Sequence, residues 1–508
     1  MKNTIVLVRP QNVYHYNNYP PLNLICLGST LKEAGFDVRI INAAMEDDAL
    51  AAVDAALTDA LLVGVCALTS EIPAAYDIIR HVKSRCDVPV VMGGWHCTLF
   101  PQQTVASPYV DYVIAGEGDA HIVSLAQSLR DGRRPEKKIY EQEILDIETL
   151  PCPDYALDPR IETFISSYLT DKCAEVMTQP ARWLPYQSSR GCPSRCTFCI
   201  NTVTGNRRYR KKSAAKTLAE LELLIPRHRL THVKFIDDNF FVDIARVRQI
   251  AQGIIDRGWK ITWDAECRCD YFNDKHLNDD ALDLCRRSGL VQLTLGIESG
   301  SPHTLELMKK DITPEQARNA VAQCDKHDII ARSSFILEIP GEQRADIKQT
   351  VRLINALRRY GKFTCGVGTF RPYPGCELTQ KLLTEGRLAQ PQTLEGWTDR
   401  SIIDLYTSAE YIRPWQTNGT FSERAAMYLN MESRTRLGNH QIDCPLDRFR
   451  NNVYSALAWL RNRLVCYALP LDKVLYQRFL KGFYRRRQEL EQAGHYPLVN
   501  TTEKACEP

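Results

Sequence analysis

No stretch of this chain reaches the roughly 18 apolar residues in a row that a membrane-spanning helix needs. Met1-Lys2-Asn3-Thr4 leads into only four apolar residues, too few for a secretion signal. Charge of one sign is also scarce. With 64 basic and 61 acidic residues the net charge is +3, which gives no support to a nucleic-acid partner, and no RNA- or DNA-binding module is recognisable. No G-x-G-x-x-G follows the first predicted strand, so a dinucleotide is not favoured. Repeats and low-complexity tracts are missing too. What the chain does have is length and cysteine. At 508 residues it exceeds one ordinary core, so two or three domains are expected. Its 18 cysteines, without a secretion signal, read as reduced thiols in a cytoplasm and not as a disulfide framework.

Residues 4 to about 131 alternate short β-branched runs with helical patterns. Strands are predicted at 4–8, 37–41, 60–67, 88–92 and 110–114, with helices at 22–34, from about 73 and from 119. This alternation predicts a parallel, doubly wound (Rossmann-like) sheet, whose ligands lie outside the carboxyl ends of the strands. Small and polar residues fall at those ends: Thr69 and Ser70, then Gly93-Gly94-Trp95-His96, then Gly116-Glu117-Gly118. Glycine there lets backbone approach a bulky ligand, although ordinary βα turns use the same residues.

A Pro-rich connection follows, and from Tyr186 to about residue 378 the alternation resumes as a partial (β/α)6 barrel. Strands are predicted at 232–236, 261–265, 291–295, 333–337 and 365–370. Active sites of such barrels sit at the carboxyl ends of the strands. There stand Asp237 and Asp238, Glu266 and Arg268, and Glu298 and Ser299.

The most specific stretch is Ser188-Ser189-Arg190-Gly191-Cys192-Pro193-Ser194-Arg195-Cys196-Thr197-Phe198-Cys199, three cysteines spaced C-x3-C-x2-C. Chance yields such spacing in roughly one chain in 50 of this composition. Thiolate sulfur selects iron–sulfur clusters, zinc or copper(I). A structural zinc loop would want a fourth ligand at close, paired spacing, and Cys173, Cys267 and Cys269 stand far off in sequence. A four-iron cluster takes four cysteines, so three on one loop leave one iron open to a ligand that is not protein.

This loop resembles the cluster-binding loop of the radical S-adenosylmethionine superfamily. The resemblance implies a [4Fe–4S] cluster on Cys192, Cys196 and Cys199, with S-adenosylmethionine chelating the open iron. It places Phe198, Asp237, Asp238, Glu266, Glu298 and Ser299 around that ligand, and Arg268 at its carboxylate. Tyr19-Pro20-Pro21-Leu22, Leu31-Lys32-Glu33-Ala34-Gly35, Gly93-Gly94-Trp95-His96 and Gly116-Glu117-Gly118 in turn look like the cobalamin-binding domain found ahead of such barrels. That implies cobalamin at the sheet edge near Thr69, Ser70, Gly93, Gly94, Trp95, His96, Gly116, Glu117 and Gly118. The D-x-H-x-x-G motif of many cobalamin domains is missing, so the lower face of cobalt is expected to lack a histidine, with His96 a contact at the cofactor edge.

The chain is therefore expected to be a cobalamin-dependent radical S-adenosylmethionine methyltransferase. Such an enzyme moves a methyl group from methylcobalamin to an unactivated carbon, or phosphorus, by way of a 5′-deoxyadenosyl radical. An oxidative cyclase or ring-rearrangement enzyme on the same cofactors is the alternative, and a non-enzymatic metal- and cobalamin-binding module a distant one. A flavodoxin or ferredoxin would supply electrons. The expected division is a cobalamin domain over 1–135, a linker over 136–185, a radical domain over 186–380 and a helical substrate or cap region over 381–508. Within that last region, residues 451–487 pair apolar positions with arginines and lysines, which suits a cap over the barrel or, less favoured, a membrane-surface contact.

Overall fold

The computed structural model describes residues 2–14, 19–166, 181–205, 207–408, 415, 419–438, 445–467 and 475. The amino-terminal strands are β1 (Thr4–Arg9), β2 (Asp37–Asn42), β3 (Ala60–Cys66), β4 (Val90–Gly93), β5 (Tyr112–Ile114) and β6 (Ile139–Tyr140). They form one sheet in the order β2-β1-β3-β4-β5-β6, and every pairing is parallel. Alternate residues of β1 explain why helices cover both faces. Ile5 and Leu7 join Leu24, Ile25 and Leu125 of the helices Leu22–Glu33 and Asp119–Arg130 on one side. Val6 and Val8 meet Val53, Ile79 and Val82 of the helices Ala49–Leu57 and Ile72–Arg85 on the other. Each such aliphatic side chain, fully buried, contributes about 1.5–3 kcal/mol. The order reverses between β1 and β3, which opens a crevice at their carboxyl ends. Strand β6 was not anticipated. It consists of two residues inside the expected linker and carries no periodicity of its own.

The second sheet starts with β7 (Trp183–Tyr186). A two-residue antiparallel ladder, β8 (Ser189–Arg190) with β9 (Arg210–Lys211), then closes the base of the cysteine loop. The arc continues through β10 (His232–Phe235), β11 (Thr262–Cys267), β12 (Leu290–Glu298), β13 (Ile330–Leu337) and β14 (Phe363–Thr369). Their order is β14-β13-β12-β11-β10-β7, parallel throughout, and β7 does not pair with β14. The result is the open six-stranded arc expected of a partial barrel. Its concave side is polar: buried His232 Nε2 and Lys234 Nζ each lie 2.8 Å from a carboxylate oxygen of Asp264.

The region expected to form one carboxyl-terminal helical unit divides in two. Leu382, Trp397, Ile403 and Tyr406 turn back and join the core on the amino-terminal sheet. Helices Gly419–Gly438 and Pro445–Leu464 pack on the barrel instead. There the Asn430 side chain bonds both the amide nitrogen (2.8 Å) and the carbonyl oxygen (2.7 Å) of Val367 on edge strand β14. Phe449, Val453, Leu457, Leu460 and Leu464 are exposed along one face of the last helix. The basic positions expected further on, Lys473, Arg478, Lys481 and Arg485 to Arg487, lie outside the described residues. Among the described residues no helix is long and apolar enough to cross a membrane.

Candidate functional site

The cysteine loop leaves the β8–β9 ladder at Gly191, where φ is +84°. An added Cβ there would stand 2.0 Å from the carbonyl oxygen of Arg208, so glycine is required for sterics as well as for conformation. The loop is then pinned from several sides. Gly191 N donates to Asp238 Oδ2 (2.9 Å) and Asn201 Nδ2 to Asp238 Oδ1 (2.7 Å). Thr197 donates its amide to Met308 O (2.9 Å) and its hydroxyl to Leu307 O (3.0 Å). Cys196 is buried, while Cys192 and Cys199 are partly exposed. The amide of buried Asn239 reaches Cys192 Sγ at 3.7 Å. Among the described residues no three Cys, His, Asp or Glu side chains converge tightly enough to hold a single metal ion.

Two clefts flank this loop. The first, about 1460 Å³ including its open mouth, lies between the carboxyl edge of the amino-terminal sheet and the segment from Gly191 to Gly205. Its enclosed part, about 340 Å³, lies within the roughly 300–1,000 Å³ of pockets for drug-sized ligands, and the open mouth accounts for the rest. Leu7, Val65, Val91 and Ile114 form an apolar floor, and Gly93, Gly94, Trp95, Gly116, Glu117 and Gly118 all line it. At Gly94, with φ +92°, a Cβ would fall within 2.9 Å of the backbone of Ala67 and of Cys66 Sγ, so the sheet edge stays flat there. A broad, apolar, flat-walled cleft with an open mouth suits a flat ring such as a corrin. The second cleft, about 1030 Å³ including its open mouth, lies at the ends of β13 and β14, with Phe198, Ser334, Gly366, Gly368 and Asn430 in its walls.

Several anticipated residues are placed otherwise. Thr69, Ser70 and His96 face away from the first cleft. A helical turn after β3 folds back, so that Thr69 Oγ1 meets His96 Nδ1 (3.2 Å) and Ser70 Oγ accepts from Asn12 Nδ2 (2.7 Å). The fully buried His96 ring packs against Phe100 and Trp397, and burial pushes its pKa down to about 3. Asp237 is fully buried and accepts from both the amide and the hydroxyl of Ser188, so it braces the loop from behind. Ser299 is enclosed with Thr350 and Ser301. Arg268, expected to take a ligand carboxylate, is committed to Asp270 (2.9 Å), Ser194 (3.0 Å) and the carbonyl of Lys310 (3.0 Å). Glu266 lies lower in the barrel, where burial pushes its carboxyl up to about 7 against the pull of Lys234. Glu298, at the end of β12 with φ +65°, meets Lys310 Nζ at 3.1 Å.

Two cations escaped the sequence reading. Lys310 is buried between Glu298 and the ring of Phe198, 5.9 Å from the ring centroid. Burial opposes its charge, but Glu298 and Cys196 outweigh that and hold it protonated. Arg190, two residues before Cys192, crosses the seam between the two sheets. Its Nη1 lies 3.0 Å from both Glu117 Oε2 and Asp119 Oδ2. Arg210 grips the same Glu117 and the carbonyl of Leu145. Desolvation pulls the Arg190 pKa down, but Asp119 and Glu117 more than compensate and raise it. The signal available in the sequence was a charged residue beside each motif, which is too common to single out.

An open apolar crevice that shares its wall with a three-thiol loop defines a class of protein, and comparisons identify it. The Radical SAM superfamily matches residues 186–354, and the B12 binding domain matches residues 13–126. An uncharacterized methyltransferase of Pyrococcus horikoshii is 30% identical over 390 residues, 73% of this chain and 80% of the relative. The anaerobic magnesium-protoporphyrin IX monomethyl ester cyclase of Rubrivivax gelatinosus is 24% identical over 72% of this chain and 66% of its own length. The solved structure of the cobalamin-dependent S-adenosylmethionine radical enzyme OxsB, with aqua-cobalamin and S-adenosylmethionine bound, superposes with a TM-score of 0.70. That superposition covers 95% of this chain and 75% of OxsB at 17% identity, so it bears on the fold alone. The chain belongs to the cobalamin-dependent radical S-adenosylmethionine enzymes.

Proposed function

We propose that this enzyme transfers a methyl group to an unactivated carbon, or phosphorus, of a small molecule. The observation carrying this reading is the common wall: Gly93, Gly94 and Gly116 of the sheet edge line the same cleft as Gly191, Asn201 and Asp238 of the cysteine-loop region. When bound, the cluster and S-adenosylmethionine supply a 5′-deoxyadenosyl radical that removes a hydrogen atom, and the corrinoid supplies the methyl group. The chain's task is then proximity and orientation. Cys192, Cys196 and Cys199 hold the cluster. Asp238 and Thr197 fix the loop that carries it, and Phe198, Glu298 and Lys310 receive S-adenosylmethionine. The glycines at 93, 94, 116 and 118 let the corrin lie against backbone. A flavodoxin or ferredoxin supplies electrons. In this reading residues 1–135 serve the corrin, 186–380 serve the radical chemistry, and the described segments beyond 380 pack on one or the other.

Methyl-labelled S-adenosylmethionine, the anaerobically reconstituted enzyme, a reductant and a small-molecule extract of the host test the reading. Label should appear in an acceptor, together with 5′-deoxyadenosine and S-adenosylhomocysteine. Formation of 5′-deoxyadenosine with no labelled acceptor would favour the second reading, an oxidative cyclase, which the cyclase relative supports.

A further inference from the structure

Below the second cleft, toward the beginnings of the strands, the barrel carries polar residues that are unusual for a core. Strand register sets Glu266, Thr294, Arg332 and Thr364 side by side on β11, β12, β13 and β14, one layer across four adjacent strands. Ser334 lies two residues above Arg332 on the same face of β13, which is about 6.6 Å along a parallel strand. It is exposed and lines the cleft beside Gly366 and Gly368. A Cβ at Gly368 would meet nothing within 4 Å, so the wall above this layer is open.

Arg332 is partly buried in this layer, yet among the described residues it has no hydrogen bond and no ion pair. Glu266 feels the charge of Arg332 but makes no ion pair with it, and the two stand two strands apart, about 10 Å between backbones at the usual strand spacing. The Oγ1 of Thr364, Arg332's register partner, is buried and likewise unpartnered. One layer lower the charges are matched: Lys234 and His232 share Asp264. A guanidinium withdrawn from bulk water without an anion costs free energy, and proteins rarely retain one unless a partner arrives from outside. Its planar fork matches a carboxylate or phosphate.

We propose that Arg332 receives an anionic group, carboxylate or phosphate, of the methyl acceptor, with the Thr364 hydroxyl completing the site. This rests on the methyltransferase reading and narrows its substrate class: the acceptor is an acid that reaches down past Ser334, not a neutral lipid.

The host extract is passed over an anion exchanger at neutral pH, and the retained and unretained fractions are each offered to the enzyme with methyl-labelled S-adenosylmethionine. Label should enter a compound of the retained fraction. Phosphatase treatment of that fraction separates the two sources, since a phosphate ester loses acceptor activity and a carboxylate keeps it. With the acceptor so isolated, Arg332→Gln should raise its KM about 10- to 100-fold, and Arg332→Lys should restore part of the loss. Iron, sulfide and corrinoid content report that each variant is folded. Label entering only the unretained fraction, or Arg332→Gln leaving KM unchanged, overturns the inference while the methyltransferase reading stands. Label entering neither fraction overturns both.

Discussion

Replacing Gly191 by alanine adds one methyl group next to the cluster loop, and the structure fixes what that group meets. At φ +84° an L-residue costs about 1–2 kcal/mol in conformation alone. The new Cβ would also stand 2.0 Å from Arg208 O and 3.1 Å from its carbonyl carbon. That carbonyl cannot swing aside cheaply. Arg208 N is tied to Gly205 O (2.9 Å), and two residues on, Arg210 pairs with Arg190 in the β8–β9 ladder. Relief requires the ladder to open, so the combined penalty is about 3–5 kcal/mol, at the upper end for a single substitution. Gly132→Ala is the control: φ is +76° there but nothing lies within 4 Å, so only the conformational part, about 1–2 kcal/mol, is paid. Iron and acid-labile sulfide per chain after anaerobic reconstitution should fall by more than half in Gly191→Ala and stay at wild-type level in Gly132→Ala. Corrinoid binding should survive in Gly132→Ala. A full cluster in Gly191→Ala would refute the reasoning, because the loop would then have a conformation the contact does not allow.

Other consequences are open to measurement. Asp119 Oδ1 is buried without a partner and Oδ2 has Arg190, so Arg190→Met should strand a carboxylate. A double-mutant cycle with Asp119→Asn should give a coupling of about 2 kcal/mol in urea unfolding, and less than 0.5 would count against the seam. Burial lowers the His96 pKa from 6.5 to about 3, so the unfolded chain takes up a proton that the folded one refuses. Stability should therefore fall by about 1.4 kcal/mol per unit as pH drops from 6.5 toward 3. Relative to wild type, His96→Phe should lack that slope, and parallel pH profiles would contradict the burial argument. Lys310→Met removes the cation paired with Glu298, and equilibrium dialysis should show at least a 10-fold weaker affinity for S-adenosylmethionine at unchanged iron content.

The amino-terminal sheet was legible because its strands are buried on both faces and read as short apolar runs, β1 and β3 most plainly. Three barrel strands, β12, β13 and β14, begin earlier than their sequence pattern suggests, while β10 begins where expected. Strand β13 starts at Ile330, three residues before the expected 333, because Arg332 faces a polar interior and interrupts the apolar pattern. The cysteine loop and the glycine-rich strand ends were visible as spacing and composition. Orientation was not. Nothing local distinguishes Asp237, which faces the back of the loop, from Asp238, which faces the cleft, and only the packed chain turns His96 toward Trp397. Arg190 and Lys310 were hidden for a related reason: each acquires its partner from 12 or more residues away.

Asn430 gives both arms of its amide to Val367, and so acts as a one-residue substitute for a seventh strand. The order of synthesis then matters. While a ribosome has delivered the chain only as far as residue 408, all six barrel strands are out but their last edge has no cover, and two such nascent chains could pair along it. Chaperone dependence should therefore peak before the helix Gly419–Gly438 emerges, and a version shortened ahead of that helix should precipitate even though every cofactor ligand proposed above is present.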